Sequence, residues 1–375
     1  MLIHYVSGSR ADFGLMERSL KRINQAPGHQ VGIVVTGQHL VEKYGKTVQD
    51  IHASCLPIAG EIPVRLTGDS GAEMGHALAD ELAGFLTLWE KNRPDLILLL
   101  GDRGEMVAGA LAAVHLGIHV AHLHGGERTG TLDESFRHVI TKLAHLHFPA
   151  TEEAAERLRR MGEASDTIHV IGAPGLVGVA GRPVPDATAL RSRLGLTDAM
   201  PLALCVFHPV VQEAGQAAGQ VRAVVEATRA EGYAMAILRP NSDAGGDGID
   251  AYLDSIAQGS DFRVLTHLER ESYLDLMAIS DLMIGNSSSG IIESASFAVP
   301  CVNIGSRQND RQRNTNTADC ANITTAAITE AIRTAKNWPR RRGNVYGDGT
   351  TDARLLAVLD TLHLTPAMLS KRLMY

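Results

Sequence analysis

Leu96-Ile97-Leu98-Leu99-Leu100 is five apolar residues without a polar break. A strand with one wet face alternates apolar and polar side chains. An unbroken run needs cover on both faces, as in a parallel sheet with helices on either side. Strand-like runs also occur at Leu2 to Val6, Gln30 to Val35, His119 to Leu123 and His169 to Ile171. Helical patterns at Ala72 to Trp89, Glu105 to Leu116 and Thr151 to Met161 stand among them. Such alternation predicts a doubly wound α/β sheet. The Gly- and Pro-rich stretch Gly172 to Pro185 breaks the rhythm and reads as a linker. The rhythm resumes at Leu202 to Phe207, Ala234 to Leu238, Arg263 to Leu265, Leu282 to Ile284 and Cys301 to Ile304. Two α/β lobes in series predict a cleft between them, with ligands outside the carboxyl ends of the strands.

The length of 375 residues agrees with two domains. A net charge of −7 is a poor match for bulk nucleic-acid binding, which relies on a basic face. No apolar run is long enough to span a bilayer, and the first ten residues hold no signal-like apolar core. Cys55, Cys205, Cys301 and Cys320 are far apart and read as buried free thiols of a reducing cytoplasm.

The strongest local motif is Ile284-Gly285-Asn286-Ser287-Ser288-Ser289-Gly290-Ile291-Ile292-Glu293. A strand ends, small residues turn, and a helix begins. Free N–H groups and serine hydroxyls there suit a phosphate, and Glu293 suits the hydroxyls of a ribose. A serine N-cap with a glutamate favoured by the helix dipole explains the same residues without a ligand. Ser7-Gly8-Ser9-Arg10-Ala11-Asp12 also follows a strand. Arg10 is placed to reach a phosphate, while Ser9 and Asp12 have capping-box spacing. Neither segment is G-x-G-x-x-G. Gly45-Lys46-Thr47 is not a P-loop, because the position of that motif's first glycine holds Leu40.

The middle of the chain is rich in acid–base groups: Gly101-Asp102-Arg103, His122-Leu123-His124-Gly125-Gly126-Glu127, and Thr131 to His138. Asp102 and Glu127 fall just past strand ends, where a sheet of this kind presents functional side chains. Thr131 with Glu134 is a capping box, and Asp133–Arg137 and Glu134–His138 are ordinary helical pairs. Seven histidines lie between His115 and His147, but His122 and His124 lack a third ligand at a diagnostic spacing, so no metal is expected. His208-Pro209 follows a strand of the second lobe.

Together these motifs, with Pro240-Asn241-Ser242-Asp243-Ala244-Gly245 and Asn303-Ile304-Gly305-Ser306-Arg307-Gln308, resemble the hydrolysing UDP-N-acetylglucosamine 2-epimerases of sialic and related nonulosonic acid synthesis. They run in family order from residue 8 to residue 308. The resemblance implies a GT-B-like fold of two Rossmann-like doubly wound lobes, residues 1–172 and 173–355, with residues 356–375 returning to the first lobe. It implies that Arg10, His208, Asn241, Ser287, Ser288, Ser289, Gly290, Glu293 and Arg307 bind the nucleotide. Asp102, Glu127, Asp133, Glu134, Arg137 and His124 would handle the sugar and its chemistry. In some relatives the residue matching His124 is a glutamate, so here another carboxylate, or the histidine, must take its part. The stretch Asn309 to Asn316 is polar and unusual, so the resemblance does not predict the loop near the nucleotide.

The implied reaction needs no cofactor. A base takes the C2 proton as the C1–O bond to UDP breaks, giving a 2-acetamidoglucal. Water then adds at C1 and a proton returns to the opposite face of C2. Asp102 and Glu127 are the first acid–base candidates, with Asp133 next. The products would be N-acetylmannosamine and UDP. The alternatives are the same chemistry on a UDP- or GDP-linked 2,4-diacetamido-2,4,6-trideoxyhexose, leading to legionaminic-type acids, a non-hydrolysing epimerase, a retaining glycosyltransferase, and a non-enzymatic nucleotide-sugar sensor. Relatives are commonly dimers or tetramers, so a homo-oligomer is expected, with no membrane or nucleic-acid partner.

Overall fold

The protein is described by a computed structural model that covers every residue except 43–44, 66–69, 131, 242, 257, 267 and 375. Among the described residues there are two six-stranded parallel sheets. The first comprises β1 (Leu2–Ser7), β2 (Gln30–Val35), β3 (Ile58–Glu61), β4 (Leu96–Leu100), β5 (His119–Leu123) and β6 (Leu146–Phe148), in the order β3-β2-β1-β4-β5-β6. The second comprises β7 (Leu202–Val206), β8 (Ala234–Leu238), β9 (Phe262–Leu265), β10 (Leu282–Gly285), β11 (Cys301–Ile304) and β12 (Thr317–Cys320). Its order, β9-β8-β7-β10-β11-β12, repeats that of the first sheet. Each sheet therefore has a topological switch point beside its first strand, between β1 and β4 and between β7 and β10. A crevice forms there because the chain leaves in opposite directions. This is the expected GT-B-like pair of Rossmann-like lobes.

The unbroken apolar runs are explained by cover on both faces. Leu96, Leu98 and Leu100 pack with Phe13, Met16 and Leu20 on one side of the first sheet, and Ile97 and Leu99 with Phe85, Trp89 and Ala110 on the other. Each such fully buried aliphatic side chain contributes about 1.5–3 kcal/mol. Met235 and Ile237 face one apolar layer of the second sheet and Leu204 and Ala236 the other.

Three expectations need correction. His169 to Ile171 is not a strand: only Ile168 bridges to His147, and Gly172, at φ 85°, turns the chain away at once. The strands β3, β6 and β12 were not anticipated. Cys55 is exposed rather than buried, and follows the helix Val48–Ala53 in a left-handed conformation at φ 61°. The other three cysteines are buried free thiols.

Two segments cross between the lobes side by side. Ala173 donates its N–H to the carbonyl of Tyr346 at 2.8 Å, and Thr351 Oγ1 donates to the carbonyl of Ala173 at 3.1 Å. The helix Thr351–Thr361 then lies on the helix Arg10–Gln25, with Leu355 and Leu359 in the first lobe's core. Arg22 pairs with Asp352 at 3.2 Å, and His29 with Asp360 at 2.9 Å. No helix among the described residues is long and apolar enough to cross a membrane.

Candidate active site between the lobes

Both switch points open on the same cleft. From the first lobe, β1 leads into Gly8 and Arg10, β4 into Asp102 and Arg103, and β5 into His124 and Glu127. From the second, β7 leads into His208 and β10 into Asn286 and the serines. Among the described residues, ion pairs join the two walls: Arg18–Glu271 at 3.0 Å, Arg103–Asp243 at 3.3 Å, Arg128–Asp310 at 3.0 Å, Arg311–Glu127 at 2.8 Å and Arg307–Asp133 at 3.8 Å. Leu132, Asp133, Pro209, Gln212, Asp243 and Arg307 are among the residues lining a pocket here.

Around the ends of β7 and β10 the second-lobe wall sets neutral donors about Arg307. The backbone N–H of His208 donates to Asn286 Oδ1, and Asn286 Nδ2 donates back to the carbonyl of His208, both at 2.7 Å. These two bonds tie the ends of β7 and β10 together. Asn241 donates its backbone N–H to His208 Nδ1 at 3.2 Å, which leaves the ring proton on Nε2. Burial, reinforced by Arg307, pushes the His208 pKa down to about 3, so the ring is a neutral donor. Arg307 Nη1 donates to the carbonyl of Asn286 at 3.2 Å.

Gly285 has φ 137°, and a Cβ there would collide with the carbonyl of Val206, so only glycine fits this turn. Ser287 caps the helix Ser288–Ile292, and Ser289 Oγ contacts the Tyr273 hydroxyl at 2.5 Å. Gly290 packs against Cys301 and leaves no room for a side chain. Glu293 closes this five-residue helix. Arg270 brackets its carboxylate, with Nη2 at 2.5 Å from Oε1 and Nη1 at 3.2 Å from Oε2.

Most of the cleft's acids come from the first lobe, with Asp243 added from the second, and each has a different environment. Asp102 is gripped by Arg137, which is buried and also donates to the carbonyl of Glu127 at 3.1 Å and to Thr129 Oγ1 at 3.3 Å. Glu127 meets His124 Nδ1 at 2.6 Å. His124 itself is left-handed at φ 62°. Burial disfavours the Glu127 charge, but Arg311 and His124 more than offset it and hold the carboxyl down at about 2. Asp133 moves the other way. Burial raises its pKa, and the opposing pull of Arg307 does not cancel that. Asp243 stays below the usual range because Arg103, Arg307 and Asn241 outweigh the cost of burial. Glu134 accepts the N–H groups of Thr129 and Gly130, both at 2.7 Å, and so ties down the loop before its helix. Its expected capping partner Thr131, and Ser242 of the second-lobe motif, lie outside the described residues.

Arg10 stands at the start of its helix, beside a fully formed Ser9–Asp12 capping box. Its Nε pairs with Asp50 at 3.0 Å, while Nη1 and Nη2 are buried with no hydrogen-bond partner among the described residues. Such donors normally find partners. His122 Nε2–H donates to the Gly101 carbonyl at 2.7 Å and Nδ1 accepts from Thr141 Oγ1 at 3.1 Å, while burial lowers its pKa to about 3. No group of histidine, cysteine and acidic side chains fit to hold a metal occurs among the described residues.

Sequence reasoning quoted Arg103 and Asp243 inside motifs but gave them no role, and it missed Arg311 and Arg270. Arg311 lies in the unusual polar stretch Asn309 to Asn316, whose conformation the resemblance did not predict. Arg270 opens a helix with no motif to mark it.

Residues 21–360 match the profile of the family described as UDP-N-acetylglucosamine 2-epimerase. The chain belongs to this family. It is 45% identical over 370 residues to UDP-N,N′-diacetylbacillosamine 2-epimerase (hydrolyzing) of Legionella pneumophila, with 98% of each chain covered. It is 32% identical to UDP-N-acetylglucosamine 2-epimerase of Neisseria meningitidis, over 82% of this chain and 80% of the relative. Among solved structures, the UDP-GlcNAc 2-epimerase of Methanocaldococcus jannaschii in complex with UDP-GlcNAc and UDP superimposes with a TM-score of 0.78. It is 17% identical, covering 96% of this chain and 99% of that one, and shares the fold. All these relatives are epimerases of nucleotide sugars by name.

Proposed function

We propose that the protein is a hydrolysing 2-epimerase that converts UDP-N,N′-diacetylbacillosamine to UDP and a free 2,4-diacetamido-2,4,6-trideoxymannose. The observation that carries this reading is the 45% identity to the Legionella enzyme across 98% of both chains. The first expectation, N-acetylglucosamine as the sugar, becomes the second reading, supported by the 32% identity to the Neisseria enzyme.

In this reading Arg307, the Nε2–H of His208 and the hydroxyls of Ser287 and Ser288 receive the diphosphate, with Arg10 reaching it from the other wall. Glu293, oriented by Arg270, receives the ribose. Donors aimed at the departing oxygen stabilise UDP as the C1–O bond lengthens. The C2 proton passes to a carboxylate, the C1–O electrons leave with UDP, and a glycal remains. Water then supplies the hydroxyl at C1 and a proton enters C2 from the opposite face. We place Asp133 first for proton movement, ahead of Asp102 and Glu127. A general base works best with a raised pKa and a place in the pocket, and Asp133 has both. Glu127, held at about 2 between Arg311 and His124, serves as a fixed negative charge facing the oxocarbenium-like C1.

Incubation with each UDP-sugar in deuterated water, followed by NMR, tests this reading. The expected result is UDP with a free sugar inverted and deuterated at C2, and at least about 10-fold faster turnover of the diacetamido donor. A preference for UDP-N-acetylglucosamine moves the protein to the second reading. An intact UDP-sugar inverted at C2, or no turnover of either donor, removes hydrolysing epimerisation altogether.

A further inference from the structure

The helix Leu132–Leu143 carries Asp133 at its cleft end and Arg137, which grips Asp102, one turn later. Its far end is held by the chain's last residues. Leu364 and Met368 pack on the first lobe's core, and the ring of His119 meets the carbonyl of Thr365 at 3.0 Å. The tail then brings Lys371 to the end of the helix. Lys371 Nζ donates to the carbonyls of Thr141 at 2.8 Å, Lys142 at 3.2 Å and Ala144 at 2.7 Å. The last carbonyls of a helix have no partner within it and carry its negative pole, so an ammonium there satisfies both.

The contact is built in rather than adventitious. Lys371 also pairs with Glu163 at 2.6 Å, and the Glu163 side chain is fully buried. Lys142, from the same helix, pairs with that carboxylate at 2.9 Å, and His147 Nε2 lies 3.0 Å from it. Met374 donates its N–H to the carbonyl of Gly162 at 2.8 Å, which locks the tail beyond the lysine. One buried carboxylate thus joins the tail, the helix and β6. Asp133 lies eight residues before Thr141, roughly 12 Å along the axis at 1.5 Å per residue. A shift or fraying at the tail end moves the acid that faces the substrate.

We infer that Lys371 is a positioning residue, which fixes the aim of Asp133 and Arg137 by clamping the far end of their helix through Glu163 and the last carbonyls. This rests on the proposed role of Asp133. Two variants test it. Lys371→Met keeps the aliphatic stem and removes the donors, and Lys371→Arg keeps both charge and donors. Turnover of UDP-N,N′-diacetylbacillosamine, UDP affinity and amide exchange are measured on each. Lys371→Met is expected to lose about 10-fold in kcat, because small misplacements far from the chemistry are costly in rate. KM and UDP affinity should stay within about twofold of the wild type, and Lys371→Arg should recover most of kcat. Exchange should quicken in residues 132–143 and not in the second-lobe helix Thr325–Lys336. The inference is overturned by an unchanged kcat, by failure of Lys371→Arg to recover it, by equal loss of protection in both lobes, or by a Lys371→Met protein that does not fold. The exchange result stands apart from the reaction: wild-type protein inert on every donor sinks the proposed function, whereas unchanged exchange sinks the clamp.

Discussion

Where β1 and β4 end, the first lobe presents Arg10, Asp102 and Arg103, with Glu127 and Asp133 close behind. Where β7 and β10 end, the second lobe presents His208, Asn286 and three serines. The strand orders are the same, so topology alone does not assign these jobs. The first wall has the greater share of carboxylates, Asp102, Glu127, Asp133 and Glu134, while the second sets His208, Asn286 and the serines around Arg307 and adds the ion-paired Asp243 and Glu293. The histidines divide in the same way: thirteen of 16 lie before residue 173. In the proposed reading, proton movement falls to the first lobe and most of the anion holding to the second, with Arg10 reaching across.

Breaking the first wall should have the largest effect. Asp133→Asn is expected to lower kcat by about 10³-fold, within the usual range for a general acid–base group. UDP affinity, measured by calorimetry, should hold or rise slightly, since Arg307 is then freed. A variant with wild-type kcat would return the proton to Asp102 or Glu127.

The second wall is expected to fail structurally where the first fails chemically. Gly285→Ala places a Cβ against the Val206 carbonyl at a backbone angle that other residues avoid. It should cost about 3 kcal/mol, readable by urea denaturation, as a strained or overpacked site does. The next effect in size belongs to Arg307→Met, which should weaken UDP binding by about 10- to 100-fold, the loss of a charge-assisted contact. Its kcat should fall less than that of Asp133→Asn, and a reversed ranking would merge the roles of the two walls.

The last expected effect concerns acid. Burial lowers His4, His39 and His145 to about 4 and His122 to about 3, all in the first lobe. A histidine whose folded pKa is depressed is neutral in the fold, while its unfolded counterpart takes a proton below about 6.5. Stability is therefore intact above that pH and declines as pH falls towards 4. Amide exchange between pH 7 and 4.5 should show first-lobe protection weakening before that of the second lobe, where His208 alone has this behaviour among the described residues.

The fold was legible where the sheets are covered on both sides. β1, β2, β4, β5, β7, β8, β10 and β11 all announce themselves as apolar runs. The three unanticipated strands lie at sheet edges. An edge strand is covered on fewer sides and carries what a buried one cannot, such as Glu61 in β3 and Asp319 in β12, so the pattern fades. The site was legible as motifs, because turns after strands leave short, specific strings of small and charged residues. What those strings do not convey is who pairs with whom. Arg311 facing Glu127 is set by the packing of one lobe on the other, and Arg270 facing Glu293 by the folding of the second lobe on itself. Glu127 is held low by Arg311 and His124, whereas burial outweighs Arg307 and raises Asp133.

Arg307 already answers a carboxylate across the cleft, that of Asp133. A diphosphate that claims this arginine adds no charge pair to the site; it trades one anion for another. The displaced carboxylate is the one proposed to take the proton, and Arg307 is the main force that lowers its pKa. Losing that neighbour makes Asp133 a stronger base. Arrival of the leaving group would therefore act as a safety catch, arming the proton acceptor only once there is a phosphate to expel.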